Sequence, residues 1–74
     1  PSTSIRFDIR NSDRVTLKVY NTTGQEVASL INNEIVSAGT KEVTFEGSNL
    51  NSGIYFYTLT VGDFKETKKM MLIK

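Results

Sequence analysis

The 74-residue chain contains no cysteine and no histidine. Without cysteine there is no disulfide to staple the fold, no thiol nucleophile and no thiolate metal site, so the structure must be held by packing alone. Without histidine, the commonest general base and the commonest neutral metal ligand are also missing. Together the two gaps argue against an enzyme, and no catalytic residue, metal site or cofactor is expected. No apolar run approaches the roughly 20 residues needed to cross a bilayer, and the N-terminus lacks the charged-then-apolar pattern of a signal peptide.

A large excess of either charge is missing as well. The net charge is +1, which offers no basic face able to neutralise several phosphates, so nucleic acid is not an expected partner. The distribution says more than the sum. Residues 65–74 carry four lysines and one glutamate, net +3, while the first 64 residues carry five basic and seven acidic side chains, net −2. The positive charge is therefore terminal.

The hydrophobic fraction of 38% and charged fraction of 23% are those of a folded domain. A chain this short hides only about 60% of the surface that its unfolded form exposes, so residues 1–74 are expected to form one domain. The sequence opens at Pro1 and enters its first strand almost at once, as expected of a piece excised from a larger protein.

Apolar and polar residues alternate over most of the chain, the period of half-buried strands. Ile5, Phe7 and Ile9 alternate with Arg6 and Asp8; Val15, Leu17 and Val19 alternate with Thr16, Lys18 and Tyr20. Asn11, Ser12 and Asp13 turn the chain between them, and the segment 21–24, ending in Gly24, turns it again. A third strand is expected over 26–31, although Val27, Leu30 and Ile31 also fit one face of a short helical turn. Asn32 and Asn33 read as a break, and Ile35 and Val36 as a separate short edge strand before a turn at 37–40. Strand five spans 41–46, with Val43 and Phe45 inward. A polar corner over 47–52, pinned by Leu50, leads into a long strand at 54–61. Gly62 and Asp63 then form a two-residue hairpin turn into a last strand at 64–73.

Seven short strands with no substantial helix predict an all-β fold, an antiparallel immunoglobulin-like β-sandwich. Asn51, Gly53, Tyr55 and Tyr57 match the positions before and within the sixth strand of immunoglobulin domains. There Tyr55 would be the corner tyrosine, and Tyr57 would fill the space of a disulfide cysteine.

Four aromatic residues, Tyr20, Tyr55, Phe56 and Tyr57, are candidates for stacking on a sugar. The tyrosines read better as core, and Phe56, on the opposite sheet face from Tyr55 and Tyr57, as partly exposed. Glu42, Glu46 and Glu66 supply carboxylates, but Glu42 and Glu46 point outward on a strand and read as a solvated face rather than a catalytic pair. Asn21-Thr22-Thr23 fits a glycosylation sequon, a frequent pattern to which no role is assigned. The tail 68–74 has two readings of equal weight. It is a final strand whose lysines guard an edge, or it is a strand offered to a partner by strand addition.

Five stretches in order, PSTSIRF (1–7), VTLKVYNTTGQEV (15–27), SAGTKEVTF (37–45), LNSGIYFYTL (50–59) and GDFKETKKMMLIK (62–74), resemble the C-terminal sorting domains of the type IX (Por) secretion system. The resemblance spans essentially the whole chain. It implies a small immunoglobulin-like module carried behind an N-terminal cargo domain and crossing the bacterial periplasm in transit to the cell surface or the medium. The implied partners are the outer-membrane translocon and a sortase-like protease that normally removes the domain. By position, Gly53, Tyr55 and Tyr57 would keep the hairpin in shape, and Lys68, Lys69, Leu72 and Lys74 would be read by the partner. An accessory carbohydrate-binding or adhesion module and a plain spacer are the alternatives, and an exposed edge strand would also allow a weak homodimer.

Overall fold

Alternation translates directly into strands for most of the chain. The computed structural model describes residues 2–73, and in it six strands follow one another. They are β1 (Ser2–Ile9), β2 (Asp13–Tyr20), β3 (Glu26–Val36), β4 (Gly39–Glu46), β5 (Gly53–Val61) and β6 (Phe64–Leu72). They make two antiparallel sheets. One is four-stranded in the order β3-β2-β5-β6, and the other contains only β1 and β4. The fold is all-β, as expected, but with six strands in a four-plus-two arrangement. The seven strands anticipated for an immunoglobulin-like sandwich, which divides four plus three, are corrected to that number.

The missing strand is explained by β3. Its residues 26–31 and 35–36, expected as two strands broken at Asn32-Asn33, form one continuous strand of 11 residues. Opposite it, β2 has eight residues, and the register slips between Val15 and Leu17, between Leu17 and Lys18, and between Val19 and Tyr20. Each slip is a β-bulge in which two residues of β3 face one of β2. At the first, Asn33 takes a φ of 52°, a left-handed conformation that asparagine tolerates better than most residues. Its N–H donates to Thr16 Oγ1 at 3.1 Å, and its carbonyl accepts from Arg14 Nη1 at 3.3 Å. Asn33 therefore bends the strand without ending it. The bulges also reset the in-out alternation, which is why Val27, Leu30 and Ile31 mimic helical spacing while all three pack against the core.

The core lies between the sheets. Central strand β2 contributes Val15, Leu17 and Val19, each 0% exposed, and β5 contributes Tyr55 and Leu59. Ile5, Ile9 and Phe45 close it from the two-stranded sheet. The last buried residue is Leu72, at the end of β6, which meets the corner after β4. A Cβ on Gly47 would lie 2.6 Å from Leu72 Cδ2, so any larger residue there would force the Leu72 side chain to shift.

The β5–β6 hairpin turns at Gly62 and Asp63, with Val61 opposite Phe64. Gly62 has a φ of 57°, and glycine at the first of two turn positions matches the primed turns that suit twisted hairpins. Between β2 and β3, Asn21 Oδ1 accepts from the backbone N–H of Thr23 and of Gln25, each at 3.0 Å, which closes that turn with one side chain.

Candidate functional site

The residues singled out from the sequence fall mainly on β5 and β6. Gly53 opens β5 opposite Leu72, with a φ of 154°. Tyr55 follows on the core face, and its hydroxyl donates to the Asn51 carbonyl oxygen at 2.7 Å. Tyr57 is on the same face but only half-buried. It lines a recess of about 340 Å³ between β1 and β6, together with Arg6, Phe7, Asp8, Phe64 and Lys68.

The tail residues are not one patch. Lys68 lies opposite Tyr57 on the inner face of β6, whereas Lys69 lies opposite Phe56 on the outer face. Both are exposed, and Lys68 Nζ approaches Glu66 Oε1 at 3.8 Å with both side chains largely in water, a contact of little energetic weight. What Lys68 and Lys69 share is the free edge of β6, since β5 is its only neighbour among the described strands.

Leu72 corrects the sequence reading of the tail. Its side chain is 3% exposed and belongs to the core, so a partner cannot read it while the domain stays folded. Apolar character at the end of a lysine-rich strand signals an anchor here. Met71 and Ile73, on either side, are the exposed ones. Lys74 lies outside the described residues.

Two further rings come together on the outer sheet face. Tyr20 of β2 lies directly opposite Phe56 of β5, both half-buried, and Lys69 follows in the same row. Tyr20 is thus on the opposite face from the core that the tyrosines were expected to join, because Val15, Leu17 and Val19 hold the inner face of β2. Among the carboxylates, Glu42 accepts from Arg6 at 3.0 Å and Glu46 from the Ser48 N–H at 3.0 Å. Both serve the local surface of the two-stranded sheet. Among the described residues no group of three or more acidic, histidine or cysteine side chains could hold a metal ion, and no helix is long and apolar enough to cross a membrane.

The sequence reading did not single out Phe64, which is 57% exposed beside the recess, or the edge of β1 that forms its wall. The wall includes Arg6, Phe7 and Asp8 in succession. Consecutive residues alternate in direction along a strand, so such a run marks an exposed strand edge and not one side-chain face.

This hairpin-ended, all-β module matches the family described as secretion system C-terminal sorting domain over residues 1–74. The chain belongs to that family: it is a C-terminal sorting domain of type IX secretion, a signal for export to the cell surface or the medium in bacteria. No curated protein and no solved structure gives a significant match to it.

Proposed function

We propose that the domain works as a folded address label whose legible part is the free edge of β6. A cargo protein joined ahead of it is carried through the outer-membrane translocon of the type IX system. The label is then removed by a sortase-like protease, so the domain is a substrate of the machinery and not a catalyst. In this reading Lys68, Lys69 and Lys74 are met by the translocon, while Leu72, Gly53, Tyr55 and Tyr57 hold β6 in place for it. The observation that carries the reading is the arrangement of β6. Its backbone edge is open, a lysine flanks that edge on each sheet face, and its end is pinned in the core by Leu72. A strand presented in this way suits recognition by strand addition, in which backbone hydrogen bonds give affinity and flanking side chains give selectivity.

Deleting residues 68–74 would be an ambiguous test, because it also removes Leu72 from the core. The cleaner test is Lys68→Glu with Lys69→Glu in a reporter cargo fused ahead of the domain and expressed in a type IX-competent bacterium. The expected outcome is a folded domain whose cargo accumulates in the periplasm. Secretion at the wild-type level would overturn the assignment of the two lysines.

The adjacency of Tyr20 and Phe56 on the outer face supports a second reading, an accessory carbohydrate-binding module, since aromatic faces stack on apolar sugar faces. Glycan-array binding by the isolated domain that is lost in Phe56→Ala and in Tyr20→Ala would favour it over the address label. An array without binding would remove it.

A further inference from the structure

Four strands have one edge with no partner among the described strands: β1 and β4 in the small sheet, β3 and β6 in the large one. Free edges invite pairing with a second chain, and natural proteins obstruct them with charge or bulges. Three of these edges resist self-pairing. In a symmetric antiparallel pair one residue faces its own copy, and residues equally distant from it on either side face each other on the same sheet surface. On β6 the centre that best matches its charges is Thr67, and it sets Lys65 against Lys69. On β4, Lys41 alternates onto the opposite face from Glu42 and Glu46, so no such centre sets it against a carboxylate. On β3, the bulges and the left-handed Asn33 interrupt the edge.

The β1 edge differs. Residues 5–9 read Ile-Arg-Phe-Asp-Ile, a sequence that is its own complement when reversed. With Phe7 at the centre, each Arg6 meets the partner's Asp8, and each Ile5 meets the partner's Ile9. The structure puts the arginine and aspartate on the outer surface, where Glu42 binds Arg6 at 3.0 Å and Thr40 Oγ1 donates to Asp8 at 2.7 Å. Ile5 and Ile9 point into the core. The recess containing Tyr57 and the exposed Phe64 lies immediately beside the same edge, so a strand added there also covers apolar surface.

We propose that this edge is a docking surface for a second copy of the chain, β1 pairing antiparallel with the partner's β1 about Phe7 and joining the two small sheets into one four-stranded sheet. A single eight-residue edge is a small interface, so the dimer is weak and depends on concentration. The pairing is carried by β1 and the address by β6, so the two assignments are tested separately.

Charge exchange tests it with the chain as it stands. Sedimentation equilibrium of the wild type should show a mass rising from 8.3 kDa toward twice that value as protein approaches ~1 mM. Arg6→Asp alone and Asp8→Arg alone each set like charges together twice across the axis, and each should self-associate at least ~10-fold more weakly. A 1:1 mixture of these two variants should recover association as a heterodimer, and the double exchange Arg6→Asp with Asp8→Arg should recover the homodimer. Circular dichroism monitors folding, since Arg6→Asp replaces the exposed Glu42 ion pair by a like-charge contact and Asp8→Arg removes the hydrogen bond from Thr40. A wild type still monomeric at ~1 mM overturns the proposal. So do single variants that associate like the wild type, or a mixture that associates no better than its components.

Discussion

The Tyr55 hydroxyl donates a 2.7 Å hydrogen bond to the carbonyl oxygen of Asn51, four residues upstream. The ring is buried at 7% exposure, so this one bond ties the corner before β5 to the start of the hairpin that ends the chain. Tyr55→Phe keeps the ring and removes the bond. A loss of about 1 kcal/mol is expected, which for a domain of this size lowers Tm by roughly 4–8 °C in a thermal melt. An unchanged melting temperature would show that the corner is held by packing alone.

Burial divides the tail sharply. Leu72→Ala empties a core position and should cost about 2–5 kcal/mol, a large share of the roughly 4–11 kcal/mol that a chain of 74 residues has in total. Met71→Ala and Ile73→Ala alter exposed side chains and should each stay within about 0.5 kcal/mol of wild type. Urea denaturation of the three variants checks the contrast, and similar midpoints for all three would contradict the placement of Leu72.

At Asn33 the φ of 52° should discriminate between substitutions. Asn33→Val places a β-branched residue in left-handed space and should destabilise by about 1–2 kcal/mol. Asn33→Gly should be far better tolerated, since glycine adopts that conformation freely. If valine were accepted as readily as glycine, the bulge could not be the fixed feature described.

A methyl group on Gly62 would press on the Asp13 carboxylate, and the Gly62 N–H donates to the Arg14 carbonyl at 3.0 Å. Gly62→Ala therefore meets both backbone strain and a specific neighbour. Shortening that neighbour with Asp13→Ala should recover part of the loss, a coupling of at least about 0.5 kcal/mol in a double-mutant cycle. Strict additivity would mean that the strain lies wholly in the turn backbone.

These sites also show what a sequence can disclose. Strands β1, β2 and β4 were legible because apolar and polar residues alternate along them, and β5 and β6 because a run of strand-forming residues is folded at the Gly62-Asp63 turn. The tail was read as a linear string of lysines around Leu72, although alternation alone places Lys68 and Lys69 on opposite faces of a strand. Strand β3 was legible only as two pieces, 26–31 and 35–36, since each bulge shifts the alternation by one residue and produces a spacing that also suits a helix. The pairing of β1 with β4 joins Ser2 to Glu46 and Ile9 to Gly39, a long-range choice that no local pattern encodes. The recess beside Phe64 depends on one sheet being narrower than the other and is visible only once both are assembled.

The contact of Gly47 with Leu72 has one more consequence. Ser2 is paired with Glu46, the neighbour of Gly47, so the first described residue of the chain and the end of β6 emerge at the same pole. The 35 Å length of the domain therefore does not separate them. A polypeptide joined ahead of Ser2 would leave beside the buried end of β6, where Leu72 is held. The stiffness and length of that joining segment, not the dimensions of the domain, then set how near an attached body stands to the end of β6.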